Sequence, residues 1–494
     1  MGILRAAPLL VLIGCSTDFT PQTCSVDSDC GNGLVCELRD TTPVCVHAAD
    51  ATLVIGESAP ISGTNQALGT GMKLGIELAF DEQNAKGGIR GRQLSLDFRD
   101  DAYQPNLAEA NARSLTDAQT VQSAPRCPSS NAMIGTNAPV SDTALQRGPN
   151  AVLALLGSVG TPTMLRAAPV AVETGTLYFG AFTGATTVLR DTTCAACSKY
   201  IFNVRASYAQ EARATMELFK KKGVADYTRI ISFDQNDTYG DAGYNGLVQA
   251  YTDVMGQAPG GSGIVRFRYT RNDDTSVPAQ ATAAETYLAN LLNTTTGTIT
   301  VGVMMTDTYG AGGDFIMALR TWQFANDSQQ TSLMKATRLK LYFSNVSFVG
   351  PNALSDKLVA AGTVPNATIP FTQDVVVSQV VPNYQSDTSD VVTQYNSLIA
   401  AKGAKPGFTS LEGYVSARVF IAGLLAHQGP FTPDSLVTTF EALPDLSLGI
   451  GATSGFSSMN HQYSQSVWGT AINPDGSFRN LYFWSAGIPI QFFE

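Results

Sequence analysis

The chain has 494 residues and a formal net charge of −10, with 44% hydrophobic and 15% charged residues. That length exceeds what one hydrophobic core usually serves, so two or more lobes are expected. The composition is that of a soluble globular protein, and the acidic balance disfavours nucleic acid and anionic membrane surfaces as partners.

The first residues, MGILRAAPLLVLIGC, hold one basic residue, Arg5, and an apolar run too short to span a bilayer as a mature helix. Cys24, Cys30, Cys36 and Cys45 follow in a segment with few apolar residues. In an exported chain, four cysteines so close together predict two disulfides, with three pairings open. Their spacings lack the paired CxxC of a zinc site. Leu53 to Ile55 start a buried strand, and Ser62 to Asn65 form a loop of small polar residues. Leu74, Ile76, Leu78, Ala79 and Phe80 recur near helical spacing until Gly87 and Gly88 stop the helix. Leu94, Leu96 and Phe98 alternate with polar residues as a second strand.

The same beat continues. Val152 to Gly157, Leu177 to Phe182 and Tyr200 to Val204 read as buried strands, and Ala209 to Lys221 as a helix. Arg229 to Phe233, Ile299 to Met305, Leu339 to Ser344 and Val375 to Val381 are further strands, the last ended by Pro382. Leu411 to Ala426 reads as an amphipathic helix. Cys127, Cys194 and Cys197 lie in polar inserts and predict one disulfide and one unpaired thiol. Strands alternating with helices place the chain in the α/β class with mostly parallel sheets, whose ligands sit at the carboxyl ends of the strands.

Enzyme signatures are missing. There is no GxSxG, HExxH or GxxxxGK[ST] motif. Gly69, Gly71 and Gly75 read as a loop opening a helix rather than a dinucleotide fingerprint. His47, His427 and His461 are scattered. Neither catalysis, a metal nor a cofactor is expected.

Several stretches then add up: APISG, GIELAFDEQNAKGGIRGRQL, DDAYQP, LALLGSVGTPT, GAFTGATTVLR, YIFNVRASYAQE, DQNDTYGDAGYNG and SNVSFVGPNAL. Their order and spacing resemble the type I periplasmic binding proteins, the group of the leucine/isoleucine/valine-binding protein, from roughly Ala51 to the C-terminus. The resemblance implies two interleaved, doubly wound parallel-sheet lobes behind an N-terminal disulfide-rich stalk. Crossings near Val204, Val380 and Thr453 would give residues 51–203 and 383–452 to the first lobe and 204–382 and 453–494 to the second. It also implies a set of ligand contacts. Ser158 and Thr161 match a hydroxyl pair that receives a carboxylate. Ala181 and Thr183 match a carbonyl and a hydroxyl facing an ammonium. Leu68 matches a position packed on the ligand, and Tyr239 and Tyr309 would close the site from the second lobe. Where amino-acid binders of the group carry an acid, Asn345-Val346-Ser347-Phe348 offers Ser347. An amide, a carboxylate or an aromatic acid is therefore as plausible a ligand as an amino acid, with Asp307 or Asp237 as substitutes for the missing acid.

Leu12-Ile13-Gly14-Cys15 resembles the bacterial lipobox. That implies a lipoprotein signal peptide over residues 1–14, a Cys-rich stalk over 15–50, and lipid on Cys15 as the membrane anchor. Ser16 resembles the sorting signal for the outer membrane. The expected protein is a lipid-anchored periplasmic receptor for a small solute, delivering to an ABC permease. A sensory receptor module of the same fold is the alternative.

Overall fold

The computed structural model describes residues 22–39, 41–123, 143–186, 199–325, 333–451 and 454–493. The expectations placed on Cys15, Cys127, Cys194, Cys197 and Thr453 fall outside these residues.

The cysteine segment forms a hairpin of β1 (Leu34–Arg39) and β2 (Thr42–His47). Its disulfides are Cys24–Cys36 and Cys30–Cys45, so the pairing is interleaved, first with third and second with fourth. Two crosslinks substitute for the core that so short a segment cannot build. The module does not hang free. Arg92 donates to the Cys36 carbonyl at 3.0 Å, and Arg90 pairs with Asp27 at 2.8 Å while lying 4.3 Å over the Phe431 ring.

The main body opens with β3 (Leu53–Ala59), α1 (Gln66–Ala85), β4 (Leu94–Asp100) and α2 (Pro105–Leu115). A separate antiparallel pair follows, β5 (Gln119–Gln122) with β6 (Thr143–Gln146). Then come β7 (Ala154–Leu156), α3 (Thr161–Thr174), β8 (Leu177–Phe179) and β9 (Ile201–Phe202). The first sheet has the order β4-β3-β7-β8-β9 and is parallel throughout.

The second lobe begins with α4 (Tyr208–Lys222), whose start is fixed by a capping box between Ser207 and Gln210 and whose end is the left-handed Gly223. It continues through β10 (Ile230–Gln235), α5 (Thr238–Met255), β11 (Val265–Tyr269), α6 (Val277–Thr294), β12 (Ile299–Thr306), α7 (Tyr309–Phe324), α8 (Lys335–Arg338), β13 (Leu339–Asn345), α9 (Pro351–Ala361) and β14 (Val375–Gln379). Helices α10 (Asp390–Ala401), α11 (Phe408–Ala426) and α12 (Pro433–Glu441) follow, and α11 packs back on α1 in the first lobe. The chain ends as β15 (Ser466–Ile472), β16 (Phe478–Ser485) and β17 (Ile488–Phe492). The second sheet reads β11-β10-β12-β13-β14-β15-β16-β17, parallel as far as β14 and antiparallel beyond it. Strands β10, β12 and β14 are buried almost end to end, as parallel strands covered on both faces should be.

Helix α11 differs from its sequence reading. It is not amphipathic: residues from Phe408 to Leu424 are buried on nearly every side, including Glu412, Ser416 and Gly423. Such a helix lies inside the fold. Its neighbour α1 comes close because of glycine. A Cβ on Gly75 would stand 2.0 Å from the Ser410 carbonyl oxygen.

Three segments pass between the sheets: after β9, after β14 and before β15. The first and third run together. Asn203 donates to the His461 carbonyl and Tyr463 to the Asn203 carbonyl, both at 2.7 Å, and Ser464 donates to Val204 at 3.0 Å.

Candidate functional site

Residues following strands of both sheets meet in one buried cluster. Ala59, Tyr103, Val159 and Phe182 come from the first lobe, and Tyr208, Tyr239, Val346 and Phe348 from the second. This is where parallel α/β sheets place ligands.

The first-lobe wall depends on two loops with unusual backbone. Ala102 and Tyr103 have φ of 48° and 58°, a region costly for residues with a side chain. Asp101 holds the turn by accepting from the Tyr103 N–H at 2.9 Å and the Ser58 hydroxyl at 2.8 Å. Burial raises its carboxyl to about 7. The turn drives the Tyr103 ring under the start of α3. There Gly160 has φ of 101°, and a Cβ would lie 2.4 Å from Tyr103 Cε2. Only glycine fits on both counts.

Thr161 opens α3, with its hydroxyl 2.7 Å from that of Thr183, which in turn lies 3.2 Å from the Tyr208 hydroxyl. Three hydroxyls are thus linked at a helix N-terminus, where negative charge is favoured. Ser158 lies on the same loop, buried, and neither its hydroxyl nor that of Tyr178 has a hydrogen-bond partner among the described residues. The Ala181 carbonyl accepts from the Thr183 N–H at 2.8 Å.

From the second lobe, Tyr239 is fully buried and donates to the Asp307 carbonyl at 2.9 Å. Its ring is 5.4 Å from that of Tyr208 and 4.7 Å from that of Phe348. Tyr309 packs against the edge of this cluster. It is half-buried at the mouth, with its hydroxyl donating across to the Thr64 carbonyl. Leu68 meets the second lobe nearby: a Cβ on Gly350 would stand 2.9 Å from Leu68 Cδ2. A groove of about 760 Å³ opens beside this contact, lined by Ala67, Gly71, Asn352, Tyr384, Thr409 and Ser410 among others.

Ser347 is enclosed by charge. Its N–H and hydroxyl donate to Glu211 at 2.7 and 3.1 Å. Arg205 donates to the same hydroxyl, to Glu211 at 2.6 Å and to Glu412 at 3.3 Å. Ser378 adds a bond to Glu211 at 2.6 Å. An acid therefore does reach Ser347, carried by α4 rather than by the Ser347 loop. Four donors already engage its two oxygens. Burial raises the Glu412 carboxyl to about 7 even with Arg205 beside it, and Arg205 stays charged between its two acids although desolvation alone would oppose it.

The two proposed substitutes are also committed. Asp237 caps α5 through the Tyr239 N–H at 2.9 Å, accepts from Gln235 at 2.7 Å and pairs with Arg271 at 3.1 Å. Asp307 is buried with neither carboxylate oxygen hydrogen-bonded among the described residues, and burial, with Asp274 and Asp234 nearby, pushes its pKa well up, which disfavours the charged form.

Sequence reasoning did not single out Tyr103, Phe182, Arg205, Tyr208, Glu211, Phe348 and Glu412. One signal was available. Arg205 follows the apolar strand YIFNV at an expected crossing, and a charge entering the interior there requires buried partners.

A profile of the family described as "Periplasmic binding protein" matches residues 52–144 and 135–477. Leu/Ile/Val-binding protein homolog 8 of Brucella abortus is 23% identical over 450 residues, 89% of this chain and 93% of that protein. Homolog 2 of the same organism is 44% identical over 55 residues, which span 11% of this chain and only 15% of that protein. A solved structure of a possible leucine/isoleucine/valine-binding protein from Rhodopirellula baltica is similar, with a TM-score of 0.67, 28% identity and coverage of 88% of this chain and 98% of its own. A solute-binding protein from R. palustris in complex with benzoate shares the fold, with a TM-score of 0.59, 18% identity and coverage of 90% and 98%.

Proposed function

Because the chain belongs to the periplasmic binding protein family, we propose that it captures a small carboxylate with an apolar or aromatic body between its lobes. The observation that carries this reading is the pairing of linked hydroxyls with an aromatic wall. Thr161, Thr183 and Tyr208 offer donors at the start of α3, and Tyr103, Phe182, Tyr239 and Phe348 surround them with rings. Hydroxyl donors suit a carboxylate, and rings exclude water and supply contact area. The state of the acids argues against an ammonium partner. Glu211 and Asp237 are engaged by the protein's own donors, and burial disfavours a charge on Asp307.

On this reading Ser158, Thr161 and Thr183 receive the carboxylate. Ala181 and Leu68 flank the ligand, Tyr239 covers it, and Tyr309 with Ser347 hold the closed arrangement. The lobes hinge at the three crossings, with limits near residues 203, 382 and 452. The protein is exported, anchored through lipid on Cys15, and delivers to an ABC permease. Among the described residues no helix is long and apolar enough to cross a membrane.

The test is a thermal-shift panel of amino acids, amides, and aliphatic and aromatic carboxylates, followed by calorimetry. A carboxylate without an ammonium should bind at roughly micromolar Kd, about −8 kcal/mol. It should bind at least as well as the matching amino acid. A strong preference for the zwitterion would refute the reading and point to Asp307.

A further inference from the structure

The turn that follows β13 packs against loops of the first lobe. Phe348 sits at its centre and is fully buried. Its ring stacks on Phe182 at 5.1 Å with 29° between planes and lies 6.1 Å from Tyr103, both on first-lobe loops. On its own lobe it touches Tyr239 at 4.7 Å. Phe182 stands between Ala181 and Thr183, so the Phe348 ring covers the loop that carries the proposed ligand groups.

The backbone under this ring is held on every side. Ser347 is pinned by Glu211 and Arg205, and the Val346 N–H donates to the Met305 carbonyl at 3.2 Å. Gly350, left-handed at φ 80°, ends the turn against Leu68 and Tyr309. A side chain on so fixed a support does not adapt to what lies beneath it. Its volume is a boundary condition on closure.

We propose that Phe348 sets the size limit of the ligand compartment. It acts as a rigid roof over Phe182 and Thr183, so that larger ligand bodies are the ones rejected. This rests on the carboxylate reading above. A neighbouring signal supports it: the hydroxyl at Ser347 is spent on the protein's own charges, which leaves the ring as that turn's contribution to the cleft.

The experiment compares wild type, Phe348→Ala and Phe348→Trp in the full chain, by calorimetry with benzoate and 2-naphthoate. Phe348→Leu, which keeps a buried apolar side chain, replaces the alanine variant should that one be insoluble. The ratio of affinities, naphthoate over benzoate, should rise at least about tenfold on truncation and fall on enlargement to tryptophan, the scale at which apolar pockets discriminate size. A ratio unchanged in both variants while both acids still bind would overturn this inference alone. If neither acid binds wild type or any variant, this inference fails; if no carboxylate of the wider panel binds either, the carboxylate reading fails with it.

Discussion

Glu412 offers the sharpest quantitative test of the interior. It lies on α11, nearly sealed from water, with Arg205 at 3.3 Å. Burial lifts its carboxyl from 4.5 to about 7. A carboxyl raised on folding is protonated in the native state while the unfolded chain has released its proton. Stability therefore falls as pH rises from about 4.5 to about 7, and is flat beyond. Each pH unit in that window costs about 1.4 kcal/mol, so the group withdraws roughly 2–3 kcal/mol between pH 5 and 8. Asp101, lifted from 3.8 to about 7, adds a slope of the same sign. Glu412→Gln replaces the acid with a neutral group that still accepts from Arg205. Urea unfolding at half-unit steps from pH 5 to 8 should show the variant losing less stability than wild type by that amount, with Asp101→Asn removing a further share. Parallel stability curves for Glu412→Gln and wild type would refute the assignment of a neutral-range carboxyl to α11.

Thr183→Val removes the central hydroxyl of the Thr161–Thr183–Tyr208 chain. Facing a charged carboxylate, that loss should cost about 1.5–3 kcal/mol of binding, or ten- to a hundredfold in Kd by calorimetry. Tyr239→Phe leaves only the Asp307 carbonyl without its donor and should lower stability by about 1 kcal/mol, whereas Tyr239→Ala empties a fully buried ring site and should cost about 3–5 kcal/mol in urea unfolding. Cys15→Ala should move the protein from the membrane pellet to the soluble periplasmic fraction; a variant that stays in the pellet would disprove the lipid anchor.

The fold was legible because periodicity and punctuation agreed. Strands such as VVVSQ and IISF are mostly apolar runs, and helices such as α4 and α5 start after Ser207 and Asp237 and stop at Gly223 and Gly256. Legibility failed in two kinds of place. Helix α11 scatters its polar residues around its circumference, and Ser410 and Tyr414 bond to other buried groups, so no side of it is a solvated face. The candidate site was only partly legible. Thr161, Thr183 and Tyr239 stand in recognisable loops, but the acid at Ser347 arrives from Glu211, 136 residues away in sequence. No local pattern announces a partner supplied by another element. The Tyr103 turn was hidden for the opposite reason, because its strained backbone is imposed by Asp101 and Gly160 against local preference.

The order of strands in the second sheet also governs how the molecule can be made. Strand β14 pairs on one side with β13 and on the other with β15, yet 86 residues separate Gln379 from Ser466 and include all three helices α10, α11 and α12. Until the last segment arrives, Val375–Gln379 presents an apolar edge with unpaired backbone groups, the arrangement that invites pairing with other chains. Synthesis delivers this chain from its N-terminus, so the disulfide hairpin and the first sheet can settle early while the second lobe waits for its final three strands. Any shortened version lacking them would leave that edge permanently open, and assembly of this chain is thus timed by its tail.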